Sequence, residues 1–144
     1  MAKTEETKLE RYVEGTGRRK TAVARVRMTP SNKSDLSKEK NILVNGKTLE
    51  TYFQDPEHQK MAKEIFDKVG VDAVFSISVK VIGGGLSAQA EAVRHGIARS
   101  LLAWNPELKS ILRGLGFLQR DSRMRERKKF GLRRARRARQ WRKR

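Results

Sequence analysis

Asp72-Ala73-Val74-Phe75-Ser76-Ile77-Ser78-Val79-Lys80-Val81-Ile82, then Gly83-Gly84-Gly85, then Leu86-Ser87-Ala88-Gln89-Ala90-Glu91-Ala92-Val93-Arg94-His95-Gly96-Ile97-Ala98-Arg99-Ser100-Leu101-Leu102-Ala103-Trp104: within this stretch the chain changes period. Ala73, Phe75, Ile77, Val79 and Val81 alternate with Ser76, Ser78 and Lys80, the two-residue rhythm of a strand buried on one face, here predicted over 72–82. Past the glycines, Ala90, Val93, Ile97, Leu101 and Trp104 recur at spacings of three and four. That is the stripe of a core helix running from about Ser87 to Trp104. Gly96 inside it costs about 1 kcal/mol relative to alanine unless something packs closely there, so another backbone, protein or RNA, is expected against it.

Working back from the strand, Met61, Ala62, Ile65, Phe66 and Val69 form a second helical stripe, opened by Asp55-Pro56 and stopped at Gly70. Ile42-Leu43-Val44 is a short strand ended by the turn pair Asn45-Gly46, and the polar run from Pro30 to Lys40 reads as an exposed loop. Thr21 to Met28 alternates again and pairs with Arg11 to Glu14 as a hairpin, with Gly15-Thr16-Gly17-Arg18-Arg19-Lys20 as its basic tip. Beyond Trp104, Asn105-Pro106 caps a shorter helix carrying Leu108, Ile111, Leu112 and Leu115, closed by Gly114 and Gly116. The order β-β-β-α-β-α-α predicts an α+β domain over 11–118, after a flexible N-terminus over 1–10 and before a basic extended tail over 119–144.

Charge is distributed unevenly over these parts. Of 34 Lys and Arg against 16 acids, net +18, the residues from Arg120 to Arg144 hold fourteen cations against Asp121 and Glu126. Two-thirds of the excess charge therefore sits in the last sixth of the chain. As a helix this tail would bring like charges together at i+3 and i+4, with too little apolar surface to compensate, so alone in water it is expected to be disordered. A partner made of phosphates reverses the cost, because guanidinium groups fork onto phosphate and each neutralised phosphate releases a counterion. Polyanion binding, to RNA above all, is the reading. A membrane surface would need large apolar residues opposite the charge, and the tail offers only Phe130, Leu132 and Trp141.

No cysteine is present, and two histidines are too few for a metal cluster, so no metal or cofactor is expected. Met1 to Glu10 lacks the apolar core of a signal peptide, and no run reaches membrane-spanning length, so a cytoplasmic protein is expected. Gly15 to Thr21 has Arg19 where a nucleotide-binding P-loop requires glycine before its Lys-Ser/Thr, which excludes nucleotide binding there. His95 has no nucleophile or orienting carboxylate placed near it by the sequence, and no catalytic constellation emerges. An enzyme is not expected.

RNA contacts are expected at three places in the domain and along the tail. Arg18, Arg19 and Lys20 at the hairpin tip put adjacent cations beside flexible glycines. Gly83, Gly84 and Gly85 either aim backbone N–H groups and a helix end at a phosphate or simply make a strand-to-helix turn. Arg94, His95 and Arg99 cannot all lie on the buried stripe, so some project outward to RNA, or Arg94 pairs with Glu91 instead. In the tail, Arg123, Arg125, Arg127, Lys128 and Lys129, then Arg133, Arg134, Arg136, Arg137 and Arg139, are the remaining rRNA-contact candidates.

Taken together, Gly17-Arg18-Arg19-Lys20-Thr21-Ala22-Val23-Ala24-Arg25-Val26, the run from Gly83 to Arg99, Asp121-Ser122-Arg123 and Glu126-Arg127-Lys128-Lys129-Phe130-Gly131-Leu132 closely resemble the bacterial-type small-subunit ribosomal protein nine family. The resemblance covers almost everything after Arg11. It implies an α+β fold, a mixed sheet with a left-handed β-α-β crossover, seated on small-subunit rRNA in the head among other ribosomal proteins. It also implies a tail reaching the P-site tRNA, with Arg142, Lys143 and Arg144 as tRNA-binding residues at the tip. The chain departs from the family pattern at Ala88 and Glu91, where glycine is usual, at Arg139, where proline is common, at Trp141-Arg142, usually Phe-Ser, and in a longer loop over 30–40. The rival readings are a protein cofactor of a tRNA-processing ribozyme, which would bind through a basic helix inside its domain, and a general nucleic-acid-compacting protein.

Overall fold

The computed structural model describes residues 12–30, 42–71 and 73–142. The expected N-terminal segment 1–10, the loop after Pro30, and Lys143 and Arg144 at the tip lie outside the described residues. The fold is α+β. A five-stranded mixed sheet runs β1 (Val13–Arg19), β2 (Ala22–Pro30), β5 (Phe75–Ile82), β3 (Ile42–Val44), β4 (Lys47–Thr48) in spatial order. Neighbours pair antiparallel except β3 with β5, which are parallel. That parallel pair is connected through β4, a single turn α1 (Leu49–Tyr52) and helix α2 (Pro56–Val69). Helix α3 (Leu86–Trp104) follows β5, and a 3-10 turn (Pro106–Leu108) leads into α4 (Lys109–Gly114).

Local chemistry accounts for these limits. Asp55 accepts from the N–H of Glu57 at 3.0 Å ahead of Pro56, and Gly70 closes α2 in the left-handed conformation. Strand β5 starts at Phe75, three residues later than its alternation predicts, because its partner β2 ends at Pro30, opposite Phe75. Strand β1 runs straight through Gly15 and Gly17, so the hairpin tip is only Lys20-Thr21 and not the six residues expected.

One face of the sheet is apolar: Ala22, Ala24, Val26 and Met28 from β2, Phe75, Ile77, Val79 and Val81 from β5, and Ile42 and Val44 from β3 are all buried. Ala62, Ile65 and Phe66 of α2 and Val93, Ile97 and Leu101 of α3 close over it. Each large side chain so buried contributes about 1.5–3 kcal/mol. Trp104 meets the edge of Phe75 at 5.1 Å between ring centroids. Of the apolar residues after Pro106, Leu112 and Phe117 are buried, while Ile111 and Leu115 are 46% and 40% exposed because α4 offers only one side to α3.

Helix α3 is buried on a second side too, which the spacing of its large residues does not reveal. Ala92, Gly96 and Ser100 face β1, and the contact is backbone on backbone. A Cβ on Gly15 would lie 2.5 Å from the carbonyl oxygen of Gly96, one on Gly17 would overlap the carbonyl oxygen of Ala92, and one on Gly96 would lie 2.6 Å from a methyl of Val26. The backbone packed on Gly96 is thus the protein's own. Gly17→Ala is expected to destabilise the fold by about 3 kcal/mol or more, the upper range of overpacking. Gly114→Ala, open on all sides, should be neutral or stabilise by a few tenths up to about 1 kcal/mol. Urea unfolding of the two variants checks the contrast.

Candidate nucleic-acid interface

Strand alternation carries Arg19 to the same side of β1 as Gly15 and Gly17, against α3. There its guanidinium is almost enclosed. Nε donates to Glu91 at 2.6 Å, one terminal nitrogen donates to the carbonyl oxygen of Arg123 at 3.1 Å, and the other lies 3.1 Å from Asp121. Asp121 accepts from the backbone N–H of Arg123 at 2.9 Å and from its guanidinium at 2.8 and 3.1 Å. Those bonds from Arg123, reinforced by the charge of Arg19, hold the Asp121 carboxyl well below the usual carboxylate range, and Arg123 is raised in turn. The hairpin tip, α3 and the start of the tail are therefore joined at one polar knot. Beside it runs a surface groove of about 650 Å³ lined by Met61, Arg94, Gln119, Arg120 and Ser122 among others.

The other expected contact residues fall around this knot. Arg94 pairs with Glu64 at 2.7 Å and lies over the ring of Phe117, so the alternative pairing with Glu91 is corrected: Glu91 is taken by Arg19. Lys68 and then Arg94 lower the Glu64 carboxyl against the opposing effect of burial. Arg99 donates to the carbonyl oxygen of Thr16 at 2.9 Å. His95, half-buried, accepts from the backbone N–H of Arg18 at 3.4 Å; burial, then the charge of Arg99, lowers its pKa, so it is neutral at pH 7. Arg18 and Lys20 are exposed, Lys20 with φ +51° at the tip.

Gly83 and Gly84 have φ +73° and +67° and press on the same tip: a Cβ on Gly83 would lie 2.6 Å from the carbonyl oxygen of Thr21. Their turn therefore needs glycine for its own geometry. It also brings the start of α3, which has no side-chain cap, beside Lys20-Thr21, so two expected sites far apart in sequence are neighbours.

The tail from Gln119 to Arg142 contains no helix and no strand beyond a single bridge between Leu132 and Ala138. Glu126 binds Lys129 and, at 2.8 Å, Arg136, closing a loop that turns at Gly131. Lys128, Arg133, Arg139 and Gln140 line a cleft of about 400 Å³ on it. Arg125, Arg127, Lys128, Arg134, Arg137 and Arg139 are all exposed. Sequence reasoning weighed Phe130 and Trp141, which are 99% and 93% exposed, only against a membrane surface; an aromatic set among arginines was also a signal for nucleic acid, since bases stack on such rings. Among the described residues no cluster of three His, Cys, Asp or Glu side chains could hold a metal, and no helix is long and apolar enough to cross a membrane.

Residues 17–144 match the model of the family described as ribosomal protein S9/S16. The chain belongs to that family. It is 50% identical over 121 residues, 84% of this chain and 88% of the relative, to the small ribosomal subunit protein uS9 of Lawsonia intracellularis. Membership makes this S9-family chain a structural protein of the small ribosomal subunit and not an enzyme, acting in the cytoplasm as part of the ribosome.

The lowered pKa of His95 sets a pH dependence. The unfolded chain takes up a proton on this side chain as pH falls through about 6.5, while the folded chain resists it, so stability is full above that value and declines below it. The urea midpoint should fall between about pH 7.5 and 5.5, and His95→Gln should flatten that decline. The carboxylates do not interfere, because their window lies below about pH 4.5.

Proposed function

We propose that the globular part docks on rRNA in the head of the small subunit, and that the tail continues along the RNA to the P-site tRNA. One observation carries this reading. Among the described residues, Arg125, Lys128, Arg133, Arg134, Arg137, Arg139 and Arg142 are exposed and have no carboxylate partner, although a protein that needed only to be soluble would intersperse both signs. Phosphates are the counter-charge that such an array suits. Arg18, Lys20 and the start of α3 form the domain's own contact with RNA, while Arg19, Arg94 and Arg99, engaged by Glu91, Glu64 and Thr16, act by holding the tip and the tail root in place. Phe130 and Trp141 supply stacking surfaces along the tail.

If the tail neutralises about eight phosphates, log K for rRNA falls with log salt at a slope of roughly −6 to −7; a slope near −2 would mean that most of these arginines face water. At the tip, Arg142, Lys143 and Arg144 contact tRNA phosphates. Subunits assembled with a chain ending at Trp141 should form normally but hold P-site tRNA more weakly by about 1–3 kcal/mol, to a similar extent for different tRNAs. Unchanged tRNA dissociation from such subunits would refute the role of the tip and leave rRNA binding standing.

A further inference from the structure

We propose that the open face of the sheet, the side away from α2 and α3, is a second RNA-binding surface separate from the tail. The inference rests on the RNA-binding reading above and names a site for it of whose cations the sequence pointed only to Arg18.

Alternation sends Ala22, Ala24, Val26 and Met28 of β2 into the core, so Arg25 and Arg27 point the other way. Lys80 of β5 does the same, and the register sets Arg25 opposite Lys80 and Arg27 opposite Ser78. From β1, Thr16 stands beside Arg25, Glu14 beside Arg27 and Arg18 beside Val23. No described helix covers this face, and its members Arg18, Arg25, Arg27 and Lys80 are exposed.

Four cations thus share the face with one carboxylate. Glu14 accepts from Arg25 at 3.0 and 3.1 Å and lies 3.5 Å from Arg27, and the two arginines hold its carboxyl below the ordinary range. Lys80 has no ion-pair partner among the described residues. Like charges directly opposite each other on a sheet are destabilising, so the juxtaposition of Arg25 and Lys80 is at odds with a face that meets only water. An anionic partner removes the repulsion. Ser76, Ser78 and Thr16 interleave hydroxyl groups that donate to phosphate or ribose oxygens, and the exposed ring of Tyr12, 4.9 Å from the Arg27 guanidinium carbon, gives a base a place to stack. The apolar members lie away from its centre: Ile82 at one end of β5, opposite Val23 of β2, and Leu43 across on β3 form no central patch of the kind a protein interface buries.

The clamp on Arg19 lies on the other side of the sheet, so the two surfaces can be tested apart. With full-length chain and a small-subunit rRNA transcript, Arg25→Ser combined with Lys80→Ser should make the salt slope shallower by about 1.4–1.8, the loss of two phosphates. It should also expose to hydroxyl radicals a stretch of RNA that an Arg134→Ser, Arg137→Ser variant still protects. Glu14→Gln should bind more tightly than the unaltered chain. The proposal is overturned if slope and footprint are unchanged in a double variant that melts like the parent. It is equally overturned if only Leu43→Ser and Ile82→Ser impair incorporation into subunits, which would give the face to a protein neighbour. Absence of salt-dependent binding by the parent chain itself would bring down the RNA-binding reading as a whole, an outcome distinct from a failure of the face alone.

Discussion

The contact on which the rest of this structure depends is the one between two backbones, β1 and α3, at Gly15, Gly17 and Gly96. Glycine on both sides lets the helix settle on the edge strand at a distance that a single Cβ would forbid. Ser100, fully buried, donates to the carbonyl oxygen of Gly96 at 3.1 Å and leaves no polar atom of its side chain unmatched there. With that height fixed, the flanking side chains find their partners: Arg19 reaches Glu91, Arg99 reaches the carbonyl oxygen of Thr16, and the N–H of Arg18 reaches His95. The polar geometry of the candidate interface is thus a consequence of three missing methyl groups.

Much of the fold could be read from the chain because its signals were periodic. The alternation after Ala73, the stripe from Ala90 to Trp104 and the Asp55-Pro56 cap each correspond to an element with close to the expected limits. What escaped reading was non-periodic or short. Strand β4 and the single turn α1 have too few residues for a pattern, and Gly15 and Gly17 look like loop residues until the partner that requires them is known. Gly96 did signal a close neighbour, since a helix interior tolerates glycine poorly without one; which backbone supplied it was not legible.

The site was legible as charge and illegible as pairing. Composition marks the tail as a polyanion ligand, but it does not say which cations are already occupied by the protein's own acids. Arg19 and Lys20 are adjacent in sequence, yet strand alternation turns one inward to Glu91 and Asp121 and leaves the other in solvent. Glu91 provides the partner that draws Arg19 inward. Glu126 plays the corresponding part in the tail, where one acid among many bases shapes a loop through Lys129 and Arg136.

The reach of the Arg19 knot across the chain ties binding competence to folding. Its partners are separated from it by 72 residues at Glu91 and by 104 at the Arg123 carbonyl. Contacts so distant in sequence close only after the loops between them have surrendered their entropy, and so form late. During synthesis Arg19 leaves the ribosome long before Glu91, and for that interval its guanidinium lacks the first of these partners. The tail acquires a fixed point of departure only once hairpin and helix have met. Until the knot closes, the tail's charge has only diffuse affinity; once it has closed, the same charge leaves the domain from a fixed point, and attraction becomes aim.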